Sequence, residues 1–140
     1  MKILLPVDGS DYTKRMLSYV TEHTELLGPG HEYVLFTAVP GIPLHAVRFV
    51  DRATLDEHYR EQAGQVFQAV KAFASQPGWK VREAYGHGYA PEAIAACVAA
   101  EKPDLIVMGT HGHSAIGSMI MGSVASGVLA RCKVPVLLIR

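Results

Sequence analysis

An excess of charge of either sign is missing from this chain. Thirteen Lys and Arg balance thirteen Asp and Glu, and no run of like charges occurs. Such a protein has no global field to draw it onto nucleic acid or a membrane surface. Cysteine is scarce: Cys97 and Cys132 alone cannot build a disulfide framework. Both fall in apolar helical stretches, where they read as small buried hydrophobes in a reducing cytoplasm. Long hydrophobic runs are absent too. "MKILLPVDGS" meets Asp8 after a few apolar residues, too soon for a signal-peptide core or a membrane span. No Gly-Lys pair exists, which excludes a Walker A phosphate loop. Internal repeats and low-complexity segments are also missing.

What remains is a chain of 140 residues, 49% hydrophobic and 19% charged, with the composition of a folded globular protein. That length predicts one domain over 1–140 with a substantial core. Residues 2–7 (KILLPV), 33–39 (YVLFTAV), 104–109 (DLIVMG) and 134–139 (VPVLLI) are continuously apolar, as strands buried on both faces are. A fifth stretch, 79–86, alternates Trp79, Val81, Glu83 and Tyr85 with charged neighbours, the pattern of an edge strand.

Helical patterns separate these strands. Ser10 can cap a helix carrying Leu17, Val20, Thr24 and Leu27 on one face, stopped by Gly28-Pro29-Gly30. Thr54 and Glu57 form a capping box ahead of Tyr59, Ala63, Val66, Val70 and Phe73, with Pro77-Gly78 as the stop. Pro91 suits the first turn of a helix bearing Ile94, Cys97 and Val98. A last helix should run from about Ser123 through Val124, Val128 and Leu129 to Cys132. In the connection from Pro40 to Ala53, Ile42, Leu44, Val47 and Phe49 could form a lid, a partner surface or ordinary packing, of which packing is the favoured reading. The alternation predicts a doubly wound α/β fold: a five-stranded parallel sheet, order 3-2-1-4-5, with helices on both faces. The least apolar strand and the proline-bearing one belong at the edges.

Ligands of such sheets bind outside the carboxyl ends of the strands. There lies "GTHGHSAIGSMIMGS", residues 109–123, which holds four glycines and no Lys, Arg, Asp or Glu. Its glycines permit close backbone approach and positive φ. Thr110, Ser114, Ser118 and Ser123 offer hydroxyls, and the helix that follows offers a positive dipole end. A phosphate chain satisfies all of these. His111 and His113, two residues apart without a Cys or carboxylate beside them, make a poor metal set. A protonated His113 can instead contact phosphate.

Gly109, Gly112 and the nine-residue spacing to Gly122-Ser123 resemble the motif of nucleotide-binding universal stress proteins. The resemblance covers nearly the whole chain: "ILLPVDGS" is similar to that family's first strand and turn, and "GYAPEAI" to its turn into the third helix, with Ala90 where proline is common. It implies an ATP site, or one for AMP or ADP, with Mg or Mn held by the phosphates. Pro6, Val7 and Asp8 would border the adenosine, Asp8 meeting ribose or metal. The backbone of Val39 would read the adenine edge. Met108, Gly109 and Gly112 would begin the phosphate wrap, and Gly122, Ser123 and Val124 would complete it. Histidine at the position of His111 would order the loop.

A phosphoacceptor receiver domain shares this topology, but needs an acid ending strand 3 and a lysine ending strand 5; Tyr85-Gly86 and Ile139-Arg140 stand there. No nucleophile–base pair stands out. The expectation is therefore an ATP-binding stress-response module with little or no hydrolysis. A slow ATPase or other adenosine-phosphate enzyme, and a dimeric module with an empty site, are the alternatives. Strand 134–139, an apolar edge without Lys or Glu, should pair with its two-fold mate in a homodimer.

Overall fold

The computed structural model describes residues 1–113, 118 and 120–140. Five strands form one parallel sheet of order β3-β2-β1-β4-β5: β1 (Lys2–Pro6), β2 (Glu32–Val39), β3 (Lys80–His87), β4 (Leu105–Gly109) and β5 (Val136–Ile139). The expected order and both expected edges are present. Strand β1 lies at the centre because Ile3, Leu4 and Leu5 are fully buried, alternately on the two faces. Continuous apolar sequence makes a central strand here for that reason.

Helices α1 (Asp11–Glu22) and α4 (Arg52–Ala69) cover one face. Met16, Val20, Tyr59, Ala63 and Phe67 pack there against Ile3, Leu5, Tyr33, Leu35 and Val107. Helices α6 (Ala90–Glu101) and α7 (Ser123–Arg131) cover the other, placing Ile94, Cys97, Ala125 and Val128 on Leu4, Val34, Phe36, Ile106 and Met108. Burial pushes the Cys97 thiol up to about 11, so it behaves as a core methyl-sized group and not as a nucleophile. No helix among the described residues is long and apolar enough to cross a membrane.

Several local expectations change. Ser10 caps α1, accepting from Thr13 N–H, but the helix stops at His23, whose ring hydrogen-bonds the Tyr19 carbonyl at 2.8 Å. A separate turn, α2 (Thr24–Leu27), follows; it buries Leu27 and leaves Thr24 exposed. The α4 cap is Asp51, whose carboxylate accepts from Thr54 N–H at 2.7 Å, and not the Thr54 box. Glu57 pairs with Arg60 instead. Val70 breaks this helix, and α5 (Lys71–Ala74) completes the pattern through Phe73. Cys132 caps α7 in extended conformation, and Leu129 is 43% exposed. On β3 the inward stripe ends at Val81, since Glu83 and Tyr85 are exposed. In the 40–53 connection, which holds α3 (Leu44–Val47), Ile42 packs on the core. Leu44 and Phe49 do not; they are 88% and 85% exposed.

Candidate functional site

A cavity of about 400 Å³ opens at the carboxyl ends of β1, β2 and β4. This is the size range of small-molecule sites. Strand β1 ends there because Pro6 and Val7 hand the chain to an Asp8 turn. The Asp8 carboxylate accepts from Ser10 N–H at 2.9 Å and Thr13 Oγ1–H at 2.8 Å, closing an Asx turn that starts α1.

One end of the cavity is apolar. Phe36, Ala38, Ala90, Ile94 and Met108 line it, drawn from β2, β4 and the start of α6. Gly86 makes room for the Phe36 ring, since a Cβ there would lie 3.2 Å from Phe36 Cζ. Gly86 and His87 belong to β3, and Gly88 follows them with a φ of +104°. The other end is backbone and hydroxyl: Gly109, His111, Gly112, Gly122, Ser123 and Val124. Gly122 is the N-cap of α7 and supplies no side chain to it. The first backbone N–H groups of α7 therefore face the cavity uncapped, at the positive end of the dipole.

Nine of the eleven residues expected at the site line this cavity: Pro6, Val7, Asp8, Met108, Gly109, Gly112, Gly122, Ser123 and Val124. Val39 does not. Its side chain packs on the α1/α4 face, and its carbonyl accepts from Gly88 N–H at 2.9 Å. Parallel pairing turns both polar groups of a residue to one neighbour, and Phe36 C=O accepts from Val7 N–H on the β1 side. Ala38, two residues on, has the same phase. Its backbone points past the end of β1 toward the cavity, which Ala38 lines and Val39 does not. His113 also lies off the lining. It hydrogen-bonds Asp8 through its N–H and its ring. Ser114 falls outside the described residues, Ser118 is exposed, and the buried Thr110 hydroxyl bonds His111 Nδ1 at 3.0 Å.

The three motif glycines do not carry positive φ. Each instead lets the protein's own atoms close in. A Cβ on Gly109 would lie 2.9 Å from Tyr12 Cβ, one on Gly122 would lie 3.0 Å from the Thr110 carbonyl, and one on Gly112 would run into Asp8 Oδ2. Because Asp8 is already held by three donors, Gly112→Ala should destabilise the fold by about 1–3 kcal/mol, read as a lower urea midpoint at unchanged slope. It also follows that Gly122→Asp would strain the loop besides adding charge.

Among the described lining residues Asp8 is the only carboxylate, and no Lys or Arg appears. Lys14 pairs with Asp11, and Arg15 lies over the Tyr12 ring at 5.1 Å. Burial alone would raise the Asp8 carboxyl, but hydrogen bonds from Ser10 and Thr13 and the charge of His113 outweigh it and hold it below the ordinary value. A depressed folded-state value contributes stability above the unfolded value, near pH 4, and that contribution is lost as pH falls through the folded one. Asp8→Asn should therefore be less stable than the parent at pH 7, with the gap closing below about pH 4 in urea titrations. No cluster of three metal-ligating side chains occurs among the described residues.

Comparison with known proteins adds three findings. Residues 1–140 match the family model of the universal stress proteins. A universal stress protein of Thermus aquaticus, encoded 3′ of a sulfhydrylase gene, is 33% identical over 99% of this chain and 97% of its own. Two solved structures share the fold. A universal stress protein of Archaeoglobus fulgidus in complex with dAMP has a TM-score of 0.62, at 21% identity over 100% of this chain and 98% of that one. A family protein of Arabidopsis thaliana with AMP bound has a TM-score of 0.68, at 14% identity over 99% and 90%.

Proposed function

The chain belongs to the universal stress protein family, and on that premise we propose that it binds an adenine nucleotide and serves as a nucleotide-dependent module in a stress response. The observation that carries the reading is the polarity of the cavity at the strand ends, apolar at one end and lined at the other by the uncapped start of α7. A purine fits the first, against Phe36, Ile94 and Met108, with the Ala38 backbone meeting its edge. A phosphate fits the second, on the N–H groups of Ser123 and Val124. Asp8 lies between them, where a ribose hydroxyl can donate to it. Relatives solved with dAMP and AMP support the same ligand class.

ATP is the proposed physiological form. Its charge calls for Mg²⁺ or Mn²⁺ on the phosphates, and Asp8 is the lining carboxylate that would support such an ion. The metal supplies charge neutralisation. Efficient phosphoryl transfer needs fixed cations on the developing charge, and residues 109–123 contain no Lys or Arg. Binding, with at most slow hydrolysis, is the better reading, and the whole of 1–140 acts as one nucleotide-binding domain. Calorimetry with ATP and AMP, and mass analysis of ligand released on denaturation, test it. Protein that takes up no adenine nucleotide, or that hydrolyses ATP rapidly at steady state, overturns it.

A further inference from the structure

We infer that His113 is a positioning residue that couples the ribose end of the pocket to its phosphate end by pinning the glycine loop onto Asp8. This rests on the nucleotide reading above. The turn carrying Asp8 is rigid: Oδ1 accepts from both Ser10 N–H and Thr13 Oγ1–H, and Asp8 N–H donates to Thr13 Oγ1 at 3.0 Å. The loop arm reaches that turn from the far end of the chain and is fastened at three points. Gly112 passes so close to Oδ2 that no side chain fits. His113 N–H donates to Oδ2 at 3.2 Å, and its ring Nε2–H donates to the Asp8 main-chain carbonyl at 2.6 Å.

The two sides of this clamp belong to different subsites. Asp8 lines the cavity, and its Oδ2, which accepts one long hydrogen bond at 3.2 Å, keeps acceptor capacity for a ligand hydroxyl. The arm continues through Thr110, whose carbonyl accepts from Gly122 N–H at 2.7 Å, so the start of the wrap is tied to its end at α7. His113 thus holds the phosphate wrap in register with the residue that meets the ribose. Its imidazole is the only part of the clamp that a substitution can remove without touching the pocket lining. Preordering a loop in this way raises affinity by removing the cost of fixing it on binding.

Adenosine and AMP, titrated by calorimetry into the parent, His113→Ala and His113→Gln, test the coupling. AMP needs the wrap and adenosine does not. The ratio of AMP to adenosine affinity should fall about tenfold in His113→Ala, with adenosine affinity unchanged. His113→Gln, whose amide N–H can reach the same carbonyl, should restore most of the ratio. An unchanged ratio, or equal weakening of both ligands, overturns the inference while leaving the nucleotide site in place. A parent that binds neither ligand overturns the nucleotide reading and this inference together.

Discussion

Ser123→Asp should make the free protein slightly more stable and its nucleotide binding far weaker. Ser123 is the first residue of α7 and is exposed, so a carboxylate there meets the positive end of the helix dipole and clashes with nothing. That placement is worth about 0.3–1 kcal/mol of stability. The same carboxylate would stand where the proposed phosphate accepts backbone hydrogen bonds. Repulsion between two like charges at contact distance costs about 1–4 kcal/mol at the dielectric of a partly exposed site, a loss of about fivefold to nearly a thousandfold in affinity. Opposite signs make the test sharp. A variant that melts no lower than the parent yet fails to bind ATP has lost the site and kept the fold. Equal affinities in calorimetry would mean that the start of α7 is not the phosphate site.

Leu138→Pro should abolish the homodimer expected from the open edge of β5 while leaving the sheet whole. All four residues of β5 are only half-buried, and the strand has a neighbour on one side alone. Ile139 C=O accepts from Thr110 N–H and Pro135 C=O from Ile106 N–H, so residues of that phase bond β4. Val136 and Leu138, of the opposite phase, direct their N–H and C=O outward. Proline at 138 removes an outward donor and no donor from the β4 ladder. A lysine at 137 or 138 is a blunter tool, since these side chains pack on opposite cores. Analytical ultracentrifugation should find a parent dimer and a folded monomeric variant. A variant that stays dimeric points to another surface.

The sheet was legible because every central strand is a continuous apolar run, and burial on both faces leaves no alternative. The edges were legible for the complementary reason: Lys80, Arg82 and Glu83 mark β3, and Pro135 marks the start of β5. Helix breaks were not. His23 and Val70 interrupt apolar patterns that continue in phase beyond them, so periodicity alone carries on through. The α4 cap was missed because two acceptors compete for that start, and Asp51, three residues upstream, reaches the Thr54 N–H first. Nine of the expected residues line the cavity, while Val39 and His113 do not, and Val39 is the more instructive of the two. Hydropathy cannot tell Val39 from Ala38 as a backbone reader, because the distinction depends on which way a strand's N–H and C=O turn. The phase of the β1–β2 hydrogen bonds decides it. Leu44 and Phe49 were misjudged because apolar identity alone does not say whether a connection has anything to pack against.

The position of β1 has a consequence for how the protein is made. One of its neighbours, β2, follows directly, but the other, β4, begins roughly 100 residues later. At about 5–20 residues per second, translation leaves that second edge of the central strand open for about 5–20 s. For that interval the nascent chain offers an apolar, unpaired strand edge to any other chain nearby, a longer exposure than a fold of local contacts would give. The cavity shares the delay. Its apolar wall also needs Ile94 of α6 and Met108 of β4, and α7, on which the proposed phosphate would rest, is the last helix synthesised. A nucleotide can therefore stabilise the finished chain but cannot guide its early folding, and protection of the growing chain falls to whatever holds the open edge of β1 apart from its neighbours.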